Sequence, residues 1–152
     1  MTYWRMQLHP ADSEHAIKYS IESLAAGYIG LDFNRNVGDL TKIPQEKLPL
    51  TQRDYWAFAH EMKNGDCVLI IAHHFPFALT TIAGKYNYIR EKAPELGVWF
   101  RHFRKVKSVK YYADYITDAN SWQRLTMTDT ISILRDSNSL SFRLIEAWQQ
   151  TI

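Results

Sequence analysis

The sequence predicts an α+β fold: a strongly bent sheet or small barrel of about five to six strands, with flanking helices and a helical C-terminal extension. Its 152 residues are enough for one unit that buries its own core without disulfides. Apolar patterns follow in the order β-α-β-α-β-β-β and then become helical. A doubly wound nucleotide-binding fold is disfavoured, because the sequence lacks both regular βα alternation and a glycine fingerprint after the first strand.

The first predicted elements are a strand, a helix and a second strand. Residues 3–8 alternate between apolar and polar side chains, with Trp4 in the apolar row, which predicts a half-buried strand. Residues 11–27 carry apolar side chains at helical spacing, and Gly27 is placed to end this helix. Residues 28–33, with the sequence YIGLDF, predict a short apolar strand.

A second helix and three more strands follow a loop that is rich in Asn, Gly and Pro. Residues 51–62 predict an amphipathic helix that begins with a capping box. Residues 68–71 are continuously apolar, as in a central strand that is covered on both faces. Two further strands are predicted at 78–86 and 98–109, and Pro76 requires a turn or bulge before the first of them.

The end of the chain has a different pattern. After Tyr115 the apolar residues recur at helical spacing, from Ile131 to Trp148. We therefore divide the chain into a main domain, residues 1–115, and a helical extension, residues 116–152. The extension is expected to pack on the main domain or to lead to an effector unit.

Positive charge is concentrated in one part of the chain. The net charge is only +2, yet residues 85–110 contain eight Lys or Arg against two Glu. Such a stretch is a candidate surface for phosphate groups, although a solvated strand and loop surface has the same composition. The candidate phosphate-binding residues are Lys85, Arg101, Arg104, Lys105 and Lys107.

The single cysteine and the apolar runs indicate where the protein works. Cys67 lies inside an apolar run, which is typical of a buried small hydrophobe rather than a nucleophile or ligand. No stretch approaches the roughly 18 apolar residues of a membrane span, and the first residues, MTYWRMQLHP, lack the basic start and apolar core of a signal peptide. We expect a soluble cytoplasmic protein that does not bind membranes.

Motifs for catalysis are weak in this sequence. Asp54 followed by Glu61 and Lys63 is the nearest pattern to a nuclease site, but it falls on a predicted helix, whereas that chemistry usually lies on strands. The neighbouring His73 and His74 would point to opposite faces of a strand and would not converge on one ion. We therefore expect no enzyme activity, no metal and no other cofactor.

Aromatic residues are unusually frequent, at 14% of the chain, and many fall on predicted strands or at strand ends. Core packing accounts for part of this surplus. A cage of two or three aromatic rings with a carboxylate or amide at its rim also holds one flat base, because the rings stack on the base while the polar groups bind its edge. Core packing and a base-binding cage both remain open at this point.

Several short motifs occur together in a particular order and spacing. They are Tyr3-Trp4-Arg5-Met6, Gly27-Tyr28-Ile29-Gly30-Leu31-Asp32-Phe33, Val37-Gly38-Asp39-Leu40, Met62-Lys63-Asn64-Gly65-Asp66-Cys67-Val68, Ile82-Ala83-Gly84-Lys85-Tyr86-Asn87-Tyr88 and Arg104-Lys105-Val106. With these motifs, residues 2–115 resemble an EVE domain, a member of the PUA-like group that is related to the YTH readers of methylated RNA. The resemblance departs from the family at Leu31 and Ser108, where relatives commonly carry tryptophan.

The resemblance implies a PUA-like fold and a non-catalytic module that flips a methylated base, such as N6-methyladenine or 5-methylcytosine, into an aromatic pocket. DNA is the expected polymer and RNA the alternative. The residues expected to line the pocket are Trp4, Asp32, Phe33 and Trp99. The residues expected at its rim are Tyr28, Asn34, His73, Tyr86 and Tyr88.

The resemblance also implies a biological setting. EVE-like domains often occur in bacterial and archaeal modification-dependent restriction systems, attached to a nuclease or a motor. We therefore expect the specificity module of a defence system in the prokaryotic cytoplasm, acting at the nucleoid, with a nuclease or motor as effector domain or subunit. Two other classes remain as alternatives: a protein-interaction domain with an aromatic peptide groove, and a small hydrolase that uses Glu61 or the histidines.

Overall fold

A six-stranded mixed sheet is the frame of the part of the chain that the computed structural model describes. The described residues are 1–8, 16–31, 38–48, 53–72, 75–91, 100–111 and 130–149. Within them the strands are β1 (Tyr3–Gln7), β2 (Tyr28–Leu31), β3 (Cys67–Ala72), β4 (Phe75–Tyr88), β5 (His102–Tyr111) and β6 (Ile131–Leu134), in the spatial order β2-β5-β4-β3-β1-β6. β1 and β3 are parallel, and the other neighbouring pairs are antiparallel. The predicted α+β class is confirmed, with a sheet that is open between its edge strands β2 and β6 within the described residues.

Three helices flank this sheet in the described part of the chain. They are α1 (Ala16–Ala26), α2 (Arg53–Trp56), which continues as a π-helical turn over Ala57–Glu61, and α3 (Leu140–Gln149). Short 3₁₀ turns cover Leu40–Lys42 and Gln45–Lys47. None of the helices in these ranges has the length and apolar character needed to cross a membrane.

The end of α1 follows the prediction. Gly27 has a φ of +88°, and its N–H donates to the carbonyl of Leu24 at 3.0 Å. Glycine adopts this left-handed conformation without a steric penalty, so the chain can leave the helix and enter β2 directly.

The two faces of the sheet carry two separate apolar clusters. On one face, side chains of all six strands and of α1 and α2 form the larger cluster, which includes Trp4, Val68 and Ile82. On the other face, Tyr3, Cys67, Leu69, Ile71 and Leu79 pack with Ile145 of α3. The prediction that β3 is covered on both faces is therefore confirmed, and so is the burial of Cys67. The predicted apolar row of β1 is buried, and on its second face Tyr3 is buried against α3, whereas Arg5 and Gln7 are only partly buried.

The pattern predicted a helical C-terminal segment, but this segment also contains a strand. Ile131 to Leu134 form the edge strand β6, with Ile131 opposite Met6 and Ile133 opposite Trp4. A carboxylate of α2 binds the start of β6: Oδ2 of Asp54 accepts hydrogen bonds from the N–H groups of Thr130 and Ile131 at 3.0 and 3.3 Å. The described end of the chain thus contributes to the same sheet. The division between residues 115 and 116 stays a prediction.

The predicted irregularity at Pro76 is present. Pro76 lies opposite Ile71, and the register between β3 and β4 shifts between Ile70 and Ile71. This is the bulge that a proline, which has no N–H, requires in a paired strand. β4 begins at Phe75 and is therefore longer than the predicted range of 78–86.

Candidate nucleic-acid interface

The residues predicted to form a base pocket are only partly within the described residues. Asp32, Phe33, Asn34, His73 and Trp99 lie outside them. Trp4, Tyr28, Tyr86 and Tyr88 lie inside them, and the structure does not bring all four into one cavity.

Trp4 is a core residue of β1. It is 2% exposed, and its indole Nε1 donates to Oδ2 of Asp66 at 3.0 Å. Asp66 also accepts hydrogen bonds from the backbone N–H of Lys63 at 3.0 Å and of Thr2 at 3.1 Å. Asp66 thus holds the indole in place and occupies its only donor, so a base would meet Trp4 only through the carbon atoms of its ring. The sequence analysis missed Asp66, although a carboxylate in a Lys-x-Gly-Asp turn beside an apolar strand is a signal for such a link.

A cleft of about 620 Å³ lies over Trp4, between α2 and β6. Its lining includes Trp56, the basic residues Arg53 and Arg135, and the acidic residues Asp54 and Glu61. Tyr28, Tyr86 and Tyr88 do not line it. The place of these three tyrosines at the rim of the predicted pocket stays a prediction.

Tyr86 and Tyr88 surround a buried histidine that the sequence analysis did not single out. His102 is fully buried, and its Nδ1 lies 2.6 Å from the hydroxyl oxygen of Tyr86. That oxygen also accepts from the N–H of Leu40 at 3.2 Å, so the Tyr86 hydroxyl joins the backbone at residue 40 to His102 of β5. The rings of Tyr88 and Tyr55 lie 5.2 and 4.7 Å from the imidazole. Burial raises the pKa of Tyr86, so its hydroxyl stays protonated and neutral.

These contacts anchor the chain that follows the predicted pocket residues 32–34 in sequence. Leu40 is buried, and its carbonyl lies 3.3 Å from Nε2 of His60. Asp39 caps the next turn, because its Oδ1 accepts from the N–H of Thr41 at 2.9 Å and from its hydroxyl at 2.7 Å. These hydrogen bonds lower the pKa of Asp39. One end of the segment that follows residues 32–34 is thus fixed to α2 and β4.

Arg104 does not lie on the surface where the sequence analysis placed it. It is 4% exposed, and its guanidinium donates to the carbonyls of Gly84, Phe58 and Met62 at 3.0, 3.1 and 2.5 Å. The reason is strand alternation: on β5, Arg104 shares the inward face with His102 and Val106. Desolvation lowers its pKa, with Asp66 opposing that effect. Arg104 links the π-helical turn to the sheet and is corrected from a surface residue to an interior one.

Three of the predicted phosphate-binding residues are exposed, and Arg101 is partly exposed. Lys105 and Lys107 alternate with the buried residues of β5 and therefore share its outward face. Lys85 is exposed on β4 at the end of a stretch where the register with β5 shifts, and it lies two residues before Asn87, which is opposite Phe103, so strand alternation places it on the same outward face. The backbone packs closely there, since a Cβ on Gly84 would lie 3.0 Å from the Cβ of Lys105.

The outward face of β5 is the face that α3 covers farther along the sheet. Thr81 lies opposite Cys67, a member of the cluster under α3, and also opposite Lys107. Residues directly opposite each other in a sheet share a face. The same sheet surface is thus apolar and covered at β1 and β3, and basic and exposed at β5.

Two aromatic rings lie beside these lysines. Tyr28 of β2 is opposite Lys105, and its ring meets that of Phe103 edge to face, with centroids 5.4 Å apart and an interplanar angle of 89°. Both rings are partly buried. We call the surface formed by Tyr28, Lys85, Phe103, Lys105 and Lys107 the lysine face. The sequence analysis placed Tyr28 at a pocket rim and did not assign Phe103 a role.

The alternative chemistries find little support in the described residues. Asp54 binds the start of β6 through its carboxylate, and Glu61 is exposed at the end of the π-helical turn. No group of three His, Cys, Asp or Glu side chains within these ranges could hold a metal ion. His73 and His74 lie outside the described residues.

The likeness to solved structures is one of fold. No protein-family model and no curated protein matches the sequence. The YTH domain of the MRB1 protein of Zygosaccharomyces rouxii, solved in complex with N6-methyladenosine RNA, superposes with a TM-score of 0.52 at 10% identity, over 97% of this chain and 86% of that one. A crystal structure of a protein from Agrobacterium tumefaciens gives a TM-score of 0.39 at 9% identity, over 95% and 92% of the two chains. The first comparison shows a YTH-like, PUA-like fold, and the narrower assignment to EVE domains stays a prediction.

Proposed function

We propose that this protein is a non-catalytic reader of a modified base in nucleic acid. The observation that carries the proposal is the likeness of fold, over 97% of the chain, to a YTH domain that was solved with N6-methyladenosine RNA. The lysine face supports it, because three exposed lysines on one side of the sheet suit a polyanionic backbone. Phosphate contacts would then supply most of the affinity, and a pocket would supply the selectivity.

The proposed pocket uses the residues that the EVE resemblance implies. Phe33 and Trp99 would stack on the flipped base, an interaction worth roughly 1 to 3 kcal/mol per base. Asp32 would accept a hydrogen bond from an exocyclic amine. Burial of one methyl group adds only about 0.8 kcal/mol, so the fit of the cage must provide the rest of the selectivity. The Tyr86–His102 pair would support this pocket by fixing the segment after residues 32–34.

The polymer and the biological setting belong to the same proposal. The EVE resemblance favours DNA, with the protein acting as the specificity module of a prokaryotic restriction or defence system and a nuclease or motor as its effector. A second candidate is a reader of methylated RNA, which the RNA in the YTH complex favours. N6-methyladenine and 5-methylcytosine are the bases to compare first.

The test is binding of the full chain to short fluorescent oligonucleotides that differ in one base modification. Unmodified, N6-methyladenine and 5-methylcytosine versions of single-stranded RNA, single-stranded DNA and duplex DNA are measured at two salt concentrations. One modified strand should bind at least about tenfold tighter than its unmodified form, equivalent to about 1.4 kcal/mol. Asp32→Ala, Phe33→Ala and Trp99→Ala should remove that preference.

A matched control separates the pocket from general electrostatics. Arg143→Gln removes an exposed positive charge on α3, away from the lysine face, and should leave both affinity and preference unchanged. Equal binding of modified and unmodified strands in all three polymers would contradict the proposed function. Absence of binding even at low salt would instead favour the peptide-binding alternative.

A further inference from the structure

We propose that the lysine face is a platform for single-stranded nucleic acid, which stacks one unpaired base on Phe103 or Tyr28 and holds the adjoining phosphates with Lys85, Lys105 and Lys107. This inference rests on the proposed function, and it adds a second contact region outside the base pocket. It also specifies the strand state of the ligand.

The geometry comes from the register of three strands. Tyr28 and Lys105 are directly opposite on β2 and β5, and Phe103 and Lys107 flank Lys105 on the same face of β5. Successive residues on one face of a strand are roughly 6.5 to 7 Å apart, which is close to the spacing of phosphates along a single strand. A strand running along β5 would therefore meet the ring of Phe103 and then Lys105 and Lys107.

Charge favours a polyanion at this surface. The sequences of β2, β4 and β5 contain no aspartate or glutamate, while their outward positions include three exposed lysines. The one arginine among these strands, Arg104, is turned inward and donates to backbone carbonyls. The basic character of the face thus comes from flexible lysine side chains, which suit point contacts to phosphates rather than a bidentate fit.

The aromatic pair favours a single strand over a duplex. In a duplex the ring faces of the bases are stacked on each other, whereas unpaired bases can stack on protein rings. Phe103 and Tyr28 meet edge to face, so their perpendicular rings present differently oriented surfaces beside the lysines. An exposed sheet surface with such rings accepts any base, because each base has a π-face, and the platform should be tolerant of sequence.

The experiment compares strands that keep their phosphates but differ in their bases. The full chain is titrated with short unmodified single strands, in DNA and RNA versions, with an abasic strand of the same length, and with the corresponding duplex. The wild type should bind the base-bearing single strands about tenfold tighter than the abasic strand and tighter than the duplex. Phe103→Leu combined with Tyr28→Leu should remove this preference and leave affinity for the abasic strand unchanged.

Two further variants separate the contribution of phosphate contacts from that of base stacking. Lys105→Gln should weaken binding to all strands and lower the salt slope by about 0.7. Phe142→Leu is the aromatic control. Phe142 lies on α3, away from the lysine face, and its partly buried ring lies 4.9 Å from that of Tyr3. It should leave all binding ratios unchanged, and thermal unfolding of each variant verifies that it is folded.

The outcome distinguishes the platform from the reader. A duplex or an abasic strand that binds as tightly as the base-bearing single strand overturns the platform, even when preference for a modified base is retained. A base-dependent preference for single strands that is lost in the Phe103 and Tyr28 double variant establishes the platform. It would do so even if modified and unmodified bases bound equally, which would sink only the proposed reader.

Discussion

At the scale of single residues, buried hydrogen-bonding groups, more than exposed charges, explain how the elements of the fold are held together. Asp66 joins the N-terminus, the turn before β3 and the indole of Trp4 through three hydrogen bonds. Arg104 joins the π-helical turn to β4 through another three. Both residues lie in sequence motifs on which the resemblance to EVE domains rests. The structure gives these residues roles in holding elements together.

Replacing Asp66 should be costly. Asp66→Ala leaves the N–H groups of Trp4, Lys63 and Thr2 without their acceptor, and we expect a loss of about 3 kcal/mol in the free energy of unfolding. Urea denaturation measures it. Asp39→Ala is the control, because Asp39 only caps a short surface turn and should cost about 1 kcal/mol or less. Equal effects of the two substitutions would contradict the role assigned to Asp66.

The buried thiol makes a prediction about alkaline stability. Burial raises the pKa of Cys67 from 9.0 to about 11, and Cys67 is 1% exposed. Since the folded state keeps the proton that the unfolded state releases, stability should fall as the pH rises from about 9 to 11. Cys67→Ala should flatten that decline in thermal melts across this pH range. Thiol reagents should not label the folded protein at neutral pH, and rapid labelling would contradict the assignment.

At the scale of elements, strand alternation decides which side chains reach a surface. The sequence predicted β1, the end of α1 at Gly27 and the buried strand β3, because these segments have clear local patterns. It missed β6, since a strand of four residues has too few positions to separate a period of 2 from one of 3.6. It also placed Arg104 outside, because a count of charges along the chain ignores the face on which each one lies.

The contact between β2 and the start of β5 depends on a glycine. A Cβ on Gly30 would lie 2.3 Å from the ring of Phe100, so Gly30→Ala must displace that ring and should cost about 3 kcal/mol. In a Phe100→Gly background, which removes both the ring and the Phe100 Cβ that would lie 2.4 Å from the new methyl group, the same substitution should cost much less, as a double-mutant cycle measures. Gly65→Ala is the comparison, since nothing lies within 4 Å of its new methyl group and only its φ of +92° opposes it. An unchanged cost in the Phe100→Gly background would refute the steric explanation.

At the scale of the whole molecule, one face of the sheet is buried at one end and exposed at the other. α3 covers this face at β1 and β3. The same face is exposed at β5, where it forms the lysine face. The fold class followed from the order of elements in the sequence. Most of the candidate base pocket could be assigned only from the EVE resemblance. The lysine face required the structure, because residues from β2, β4 and β5 meet there and only strand pairing brings them together.

The C-terminal helix should be part of the cooperative unit. Ile145 is fully buried against β1 and β3, and Ile145→Ala should destabilise the protein by about 2 to 5 kcal/mol with a single unfolding transition. Leu140→Ala, in the same helix but 39% exposed, should have a small effect. Calorimetry that resolved α3 as a separate, earlier transition would contradict this view and favour an independent extension.

The central claim, that the protein reads a modified base, is tested most directly by one ratio. It is the ratio of dissociation constants of the full chain for two short single strands that are identical except for one N6-methyl group on adenine, measured at fixed salt. We expect at least about tenfold tighter binding of the methylated strand, and loss of that ratio in Trp99→Ala. A ratio near one, repeated with 5-methylcytosine and in duplex DNA, would contradict the claim and leave a nucleic-acid-binding surface without a base reader.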